Sequence, residues 1–263
     1  MNKCIQFCFT VSTIAALLLT SSCTNDENEL EDINLSTVSE SAKTSGGSCG
    51  SAVDFKDLVV ETSWLSNDKG DRDTFGACGV DGESWMDRYN SGTVMMKCLS
   101  GDGHRTELKE DTGDEAPLDH YRRMEFTARF TSIPEHGVTI AQIHNRHSSV
   151  KRPWIRVYID HDSKVKIKET ETSPNGSSSN YSTYTGPLYT SGNSMTITVW
   201  TGTSGQKKGK VKIETGGNSY QKILWPSSSW NSYKNDYYFK AGVYTEGDNT
   251  TPTVKYDAFS IIH

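Results

Sequence analysis

The sequence predicts an all-β fold, a sandwich built from many short antiparallel strands. Three observations carry this. Glycine and tyrosine are abundant, with 22 and 12 copies in 263 residues, and long apolar helical patterns are absent. Apolar residues recur at every second position over short runs. Those runs are separated by clusters of Gly, Ser, Asn and Asp, which favour turns.

In chain order, Met1–Ser22 reads as a lipoprotein signal peptide. Lys3 gives it a positive start, and the apolar run Val11–Leu19 is too short to cross a membrane. Thr20-Ser21-Ser22-Cys23 resembles a lipoprotein signal box, which makes Cys23 the expected lipidation site. Simple cleavage and release is the plainer alternative. Residues 23–52 read as a linker, acidic at Asp26, Glu27, Glu29, Glu31 and Asp32, then rich in Ser and Gly. Its acidic start resembles a surface-export signal of some bacterial lipoproteins. The expected location is therefore the outer membrane or cell surface of a Gram-negative bacterium, with the lipid as membrane anchor. Residues 53–263 are then one catalytic-sized domain, read as a monomer.

Within that domain Val94–Leu99 is an apolar strand closed by the turn cluster Ser100-Gly101-Asp102-Gly103. Arg105–Lys109 alternates. Tyr121–Phe130 places Met124, Phe126, Ala128 and Phe130 on one side. Val138–His147 places Thr139, Ala141 and Ile143 on one side and Ile140, Gln142 and His144 on the other. Trp154–Asp160 has Ile155, Val157 and Ile159 facing one way, and Trp154, Arg156 and Tyr158 the other. Lys164–Lys168, Met195–Trp200, Lys210–Glu214, Tyr237–Tyr244 and Val254–Ile262 complete the set. Thr172–Gly192 reads as one long polar connection, the kind that often forms a lid or binding loop.

Six cysteines are present, and Cys4 and Cys8 fall in the signal. Beyond Cys23 remain Cys49, Cys78 and Cys98, so at most one bridge forms. An exported compartment permits it. Cys98 ends an apolar strand and is expected to be buried, which leaves Cys49–Cys78 as the expected pair. No spacing calls for zinc, and no motif calls for calcium or any cofactor. The net charge of −6 argues against nucleic acid but leaves room for a locally basic site that binds an acidic substrate.

Three strands share one design. Arg105, Glu107 and Lys109 back the row Thr106 and Leu108. Gln142 and His144 lie about 7 Å apart on one strand face. Tyr238, Lys240, Gly242 and Tyr244 back Phe239, Ala241 and Val243. Any one of these is an ordinary wet strand face with cross-strand ion pairs. As neighbours they would form a groove with fixed positive charge and two proton carriers. Gly242 would leave room for a ligand across the sheet.

The motifs RTELK (105–109), QIH (142–144) and YFKAGVY (238–244) resemble the three signature strands of the alginate lyases of polysaccharide lyase family 7. Lys109 stands where the family usually has Arg, keeping charge but losing the planar two-pronged grip on a carboxylate. The resemblance implies a β-jelly roll with the active groove on a concave sheet. It also implies β-elimination at 1,4-linkages of a polyuronate without metal. Arg105 and Gln142, helped by His144, would neutralise the substrate carboxylate. His144 or Tyr244 would take the C5 proton, and Tyr244 would protonate the leaving oxygen. Glu107, Lys109, Arg146, Arg156, Tyr238 and Lys240 are the expected substrate-binding set, with Arg152 closer to a plain surface charge. Ile143 between Gln142 and His144 leans the reading toward guluronate-containing blocks of alginate. Glucuronan is a related acidic polysaccharide that the motifs also fit.

Two rival classes remain. A retaining glycoside hydrolase needs two carboxylates about 5–5.5 Å apart, for which Asp160/Asp162 and Glu169/Glu171 have strand spacing. A non-catalytic glycan-binding lipoprotein needs the basic groove but not the His/Tyr pair.

Overall fold

The computed structural model describes residues 58–64, 73–89, 92–233, 235–247 and 249–263. The signal, Cys23, the linker and Cys49 lie outside them. Fifteen strands are present among the described residues: β1 (Leu58–Thr62), β2 (Asp73–Gly76), β3 (Met86–Arg88), β4 (Val94–Lys97), β5 (Asp102–Glu110), β6 (Arg122–Thr131), β7 (Val138–Asn145), β8 (Ile155–Ile159), β9 (Lys164–Thr170), β10 (Tyr181–Leu188), β11 (Ser194–Thr201), β12 (Gly209–Thr215), β13 (Asn218–Leu224), β14 (Tyr237–Glu246) and β15 (Thr253–Ile262). They form two antiparallel sheets. The eight-stranded sheet runs β10-β9-β8-β7-β14-β5-β1-β2, and the seven-stranded sheet runs β13-β12-β11-β6-β15-β4-β3. The helical segments among the described residues are three short 3₁₀ turns.

Alternation explains the sandwich. On β6, Met124, Phe126, Ala128 and Phe130 are buried, as their spacing requires. On β8, Ile155, Val157 and Ile159 do the same from the opposite sheet. The two inner rows meet in one continuous core. Cys98 is a free, buried thiol, and burial pushes it up to about 12, which leaves it unreactive near neutrality. Cys78 is disulfide-bonded; its expected partner, Cys49, is outside the described residues.

The structure corrects the reading in four places. Thr172–Gly192 is not one connection, because Tyr181–Leu188 pairs with β9 as an edge strand. An edge strand with no buried row leaves no apolar period to read, and its pairing shifts between Thr185 and Leu188, where Gly186 and Pro187 stand. Ile140 belongs to the core rather than the groove side, because a β-bulge between Thr139 and Ala141 turns it inward. Trp154 is likewise fully buried, its indole N–H donating to Glu169 at 3.3 Å, instead of facing outward with Arg156. The fourth concerns Gly242. A Cβ there would lie 2.3 Å from the Thr106 carbonyl oxygen and 2.6 Å from Glu107 Cα. The glycine allows β5 to approach β14; it does not clear space for a ligand.

Gly242→Ala should therefore force β5 and β14 apart. The expected loss is about 1–3 kcal/mol of stability, the usual range for overpacking, read as a lowered midpoint in urea denaturation.

Candidate active site

Register brings the three signature strands side by side. β14 lies between β7 and β5. Tyr244 is the cross-strand partner of Arg105, Gly242 of Glu107 and Lys240 of Lys109. On the other flank Lys240 pairs with Gln142 and Tyr238 with His144. β8 continues the face, with Arg156 beside Gln142. The outward side of this sheet holds a groove of about 550 Å³, lined by Arg105, Gln142, His144 and Tyr244 together with Arg156 and residues of the neighbouring strands.

Below the groove floor runs a chain of charges. Lys240 has only 2% of its side chain exposed, and its Nζ lies 2.6 Å from Glu107 and 2.8 Å from Glu61. Glu107 accepts a hydrogen bond from the Gln142 amide nitrogen at 2.5 Å and stands 3.7 Å from Arg105. Glu61 stands 3.7 Å from Lys109. Burial alone would lower the Lys240 pKa, but Glu107 and Glu61 overcome it and raise it, so the ammonium stays charged. Burial would raise the Glu61 carboxyl. Lys240, Lys109 and Arg105 outweigh that and hold it far below the ordinary range. Three cations face two carboxylates, so the floor keeps a positive excess. The Gln142 amide is fixed with one N–H on Glu107 and the other left over.

The Arg105 guanidinium lies over the Tyr244 ring, 4.4 Å from its centroid. His144 is half-buried, with its ring 5.6 Å from that of Tyr238. Burial first, then the charge of Lys240, pulls its pKa down to about 4. The imidazole is therefore neutral across the physiological range. Its Nδ1 is 2.8 Å from the Asn145 amide nitrogen and 3.0 Å from the Asn145 carbonyl oxygen. If Nδ1 accepts from the amide, Nε2 carries the hydrogen and is a donor. If Nδ1 donates to the carbonyl, Nε2 is a free base.

The expected binding residues divide into two groups. Arg156 lines the groove and pairs with Glu246. Glu107, Lys240 and Tyr238 are buried beneath it and shape it from below. Arg146 is committed elsewhere, pairing with Glu115, donating to the Glu110 carbonyl and covering the Tyr238 ring at 4.4 Å. Lys109 meets Glu61 and does not line the groove. Arg152, read as a plain surface charge, lines the groove with Lys151, Lys168 and Tyr181. Lys168 Nζ is 4.1 Å from the Tyr181 ring centroid. Glu61 and the β9–β10 residues were missed, since nothing in the sequence ties them to the three motifs; only pairing does. Neither Asp160/Asp162 nor Glu169/Glu171 lines the groove. Asp160 pairs with Lys166 and His161, and Glu169 accepts from Trp154 and Tyr184.

An antiparallel sandwich with a cationic, histidine- and tyrosine-bearing groove on one sheet is the architecture of a polysaccharide lyase. The alginate lyase family model matches residues 53–263, and the chain belongs to that family, polysaccharide lyase family 7. Solved structures agree on the fold. Alginate lyase AlyC3 is similar with a TM-score of 0.63 at 14% identity, over 79% of this chain and 90% of that one. Alginate lyase A1-II′, a member of polysaccharide lyase family 7, gives 0.60 at 15% identity, over 82% and 99%. The alginate lyase from Corynebacterium sp. gives 0.54 at 19% identity, over 81% and 96%. No curated protein sequence matches the chain.

Two outcomes are expected from this geometry. Glu107→Leu takes from the buried Lys240 ammonium one of its two carboxylates and from the Gln142 amide its acceptor, and should cost about 3–5 kcal/mol of stability in urea denaturation. Adding Lys240→Met should recover part of that loss; no recovery would show the pair uncoupled. The depressed His144 value also bears on pH. The folded state binds fewer protons at this ring than the unfolded state between about 4 and the unfolded value near 6.5. Its contribution to stability is thus present above 6.5 and lost as pH falls toward 4. His144→Asn should flatten that part of the stability–pH curve.

Proposed function

We propose that the protein cleaves 1,4-linked polyuronate, with alginate as substrate, by β-elimination in this groove. The observation that carries the reading is the juxtaposition of Arg105, Gln142, His144 and Tyr244 on one groove above a charged floor. The uronate C5 proton is hard to remove beside a carboxylate, because the resulting carbanion adds negative charge to a group already charged. Arg105 and the free N–H of Gln142 neutralise that carboxylate. One such donor is typically worth about 10²–10³ in rate.

The C5–H bond then breaks toward a base, the C4–O bond breaks, and a C4=C5 double bond forms. The leaving oxygen takes a proton from the Tyr244 hydroxyl. His144, neutral in its Nδ1–H tautomer, has the free Nε2 lone pair needed to accept the C5 proton. In the other tautomer Nε2–H becomes a third donor to the carboxylate, and Tyr244, entering as the phenolate beneath the Arg105 guanidinium, would take the C5 proton and pass it to the leaving oxygen. The two roles correspond to uronates whose C5 proton lies on opposite faces of the ring. No metal is needed for either.

The lean toward guluronate-containing blocks rests on Ile143 in the QIH motif. Ile143 is fully buried on the core side of β7. Any influence on block preference passes through where it sets Gln142 and His144, not through contact with sugar. Export as a Cys23-linked lipoprotein, with the acidic linker as tether, would hold the enzyme at the cell surface where such polymers arrive.

Tyr244→Phe should lower turnover by about 10²–10⁴ while leaving polymer binding intact. The readout is ultraviolet absorbance of the unsaturated product, alongside affinity electrophoresis. Reducing ends without that absorbance would identify a hydrolase instead. Binding without any product from the wild type would identify a non-catalytic glycan-binding protein. A panel of polyguluronate, polymannuronate and glucuronan settles the substrate, and guluronate-containing polymer should give the highest kcat/KM. On it, the acid limb of kcat/KM should lie below the ordinary histidine value of roughly 6.5, toward 4. A limb at or above 6.5 would show that the groove does not lower the His144 value.

A further inference from the structure

The outward face of the seven-stranded sheet lies on the other side of the sandwich from the groove, and it carries a second cluster of aromatic and cationic side chains. Trp200 on β11 is the cross-strand partner of Lys210 on β12, which in turn is the partner of Ile223 on β13. The Lys210 ammonium lies 4.6 Å from the Trp200 ring centroid. Lys208, two residues before Lys210 and on the same face, lies 5.6 Å from the Trp225 ring. Their chain neighbours Val199, Val211 and Leu224 are buried, so alternation turns this set outward.

This cluster is poorly explained by folding. Trp225 is 56% exposed and Ile223 43% exposed, so neither completes the core. Lys208 and Lys210 meet no carboxylate among the described residues, whereas nearby Lys212 and Lys207 pair with Glu214 and Asp119. Burial, then the charges of Lys212 and Lys208, lowers the Lys210 pKa. A chain with six excess negative charges thus keeps a crowded group of cations beside two indoles on one face.

We propose that this face is a second, non-catalytic binding surface for a carboxylated glycan. A pyranose presents an apolar C–H face that fits the negative face of an indole ring. Its carboxylate fits an unpaired ammonium. Strand spacing and rise place Trp200 and Trp225 roughly 12 Å apart, the span of a short run of sugar rings. The ligand chemistry is that of the polymer assigned to the groove, and to that extent the inference rests on the proposed function. A polymer held here would raise the local concentration of chain at the groove.

The test uses full-length protein carrying Arg105→Ala, Arg152→Ala, Arg156→Ala and Lys168→Ala, which strips the groove of cations that would hold an acidic polymer. It is run through native gels containing polyguluronate or polymannuronate, with a neutral glucan as control. The acidic polymers should still retard it. Adding Trp225→Ala and Lys208→Gln should weaken that retardation about tenfold, the effect of losing an anchoring aromatic with its charged neighbour. Restoring the charge as Lys208→Arg, with Trp225 intact, should recover it, and unchanged thermal melting shows that every variant is folded. With the groove intact, Trp225→Ala/Lys208→Gln should lower kcat/KM on long polymer and leave tetrasaccharide turnover unchanged. No retardation of the groove-disabled protein, no response to the outer-face changes, or equal retardation by neutral glucan would each overturn the proposal. So would a dimer in sedimentation that the same changes dissolve, which would make the face a self-association surface. Failure of the elimination reading shows separately, as absence of unsaturated product from any polyuronate.

Discussion

Lys240, clamped between Glu61 and Glu107 beneath the groove, is the constraint on which the site depends. A buried ammonium is costly unless it is paired and hydrogen-bonded. Meeting that requirement draws three strands into one register, since Glu61 comes from β1, Glu107 from β5 and Lys240 from β14. Glu107 then has one oxygen left, and the Gln142 amide of β7 takes it. The ion pair adds little net stability of its own, because desolvation cancels most of the attraction. It supplies alignment: each charged side chain above it has one place to be.

The same arrangement gives the groove its electrostatics without exposing its own charges. Lys240 adds to the positive field and disfavours the imidazolium of His144, yet it stays inaccessible to substrate. Arg105, whose guanidinium lies over the Tyr244 ring, is positioned by stacking as well as by charge. A fixed cation over a phenol and a neutral imidazole on the next-but-one strand are the preorganised groups that an elimination needs.

Several residues with functional chemistry serve as supports. Arg146 covers Tyr238, which packs against His144. Glu110 accepts from Arg122 and from the Phe239 amide, tying β5 to β6 of the other sheet and to β14. These contacts fix the back of the groove, so a substitution there would misplace the imidazole without touching substrate. The cationic end formed by Lys151, Arg152, Arg156 and Lys168 extends the groove along β8 and β9, in the direction a polymer would run.

The sequence by itself determined the fold class and the inner faces, because a period of two over ten strands leaves few ways to bury Met124, Phe126, Ile155 or Val157. It also determined which residue types carry chemistry, since Arg105, Gln142, His144 and Tyr244 each stand on a polar row backed by an apolar one. Only the tertiary structure decided which of the charged residues face a ligand. Glu107 and Lys240 read as groove residues by alternation, but Lys240 is buried against both Glu107 and Glu61, a residue far away in the chain. Arg152 read as surface until the edge strands placed it in the groove. Ile140 and Gly242 turned on a bulge and on the approach of two backbones. Periodicity records the side of a strand, whereas exposure depends on which strand lies next to it, and that is a property of the assembled sheet.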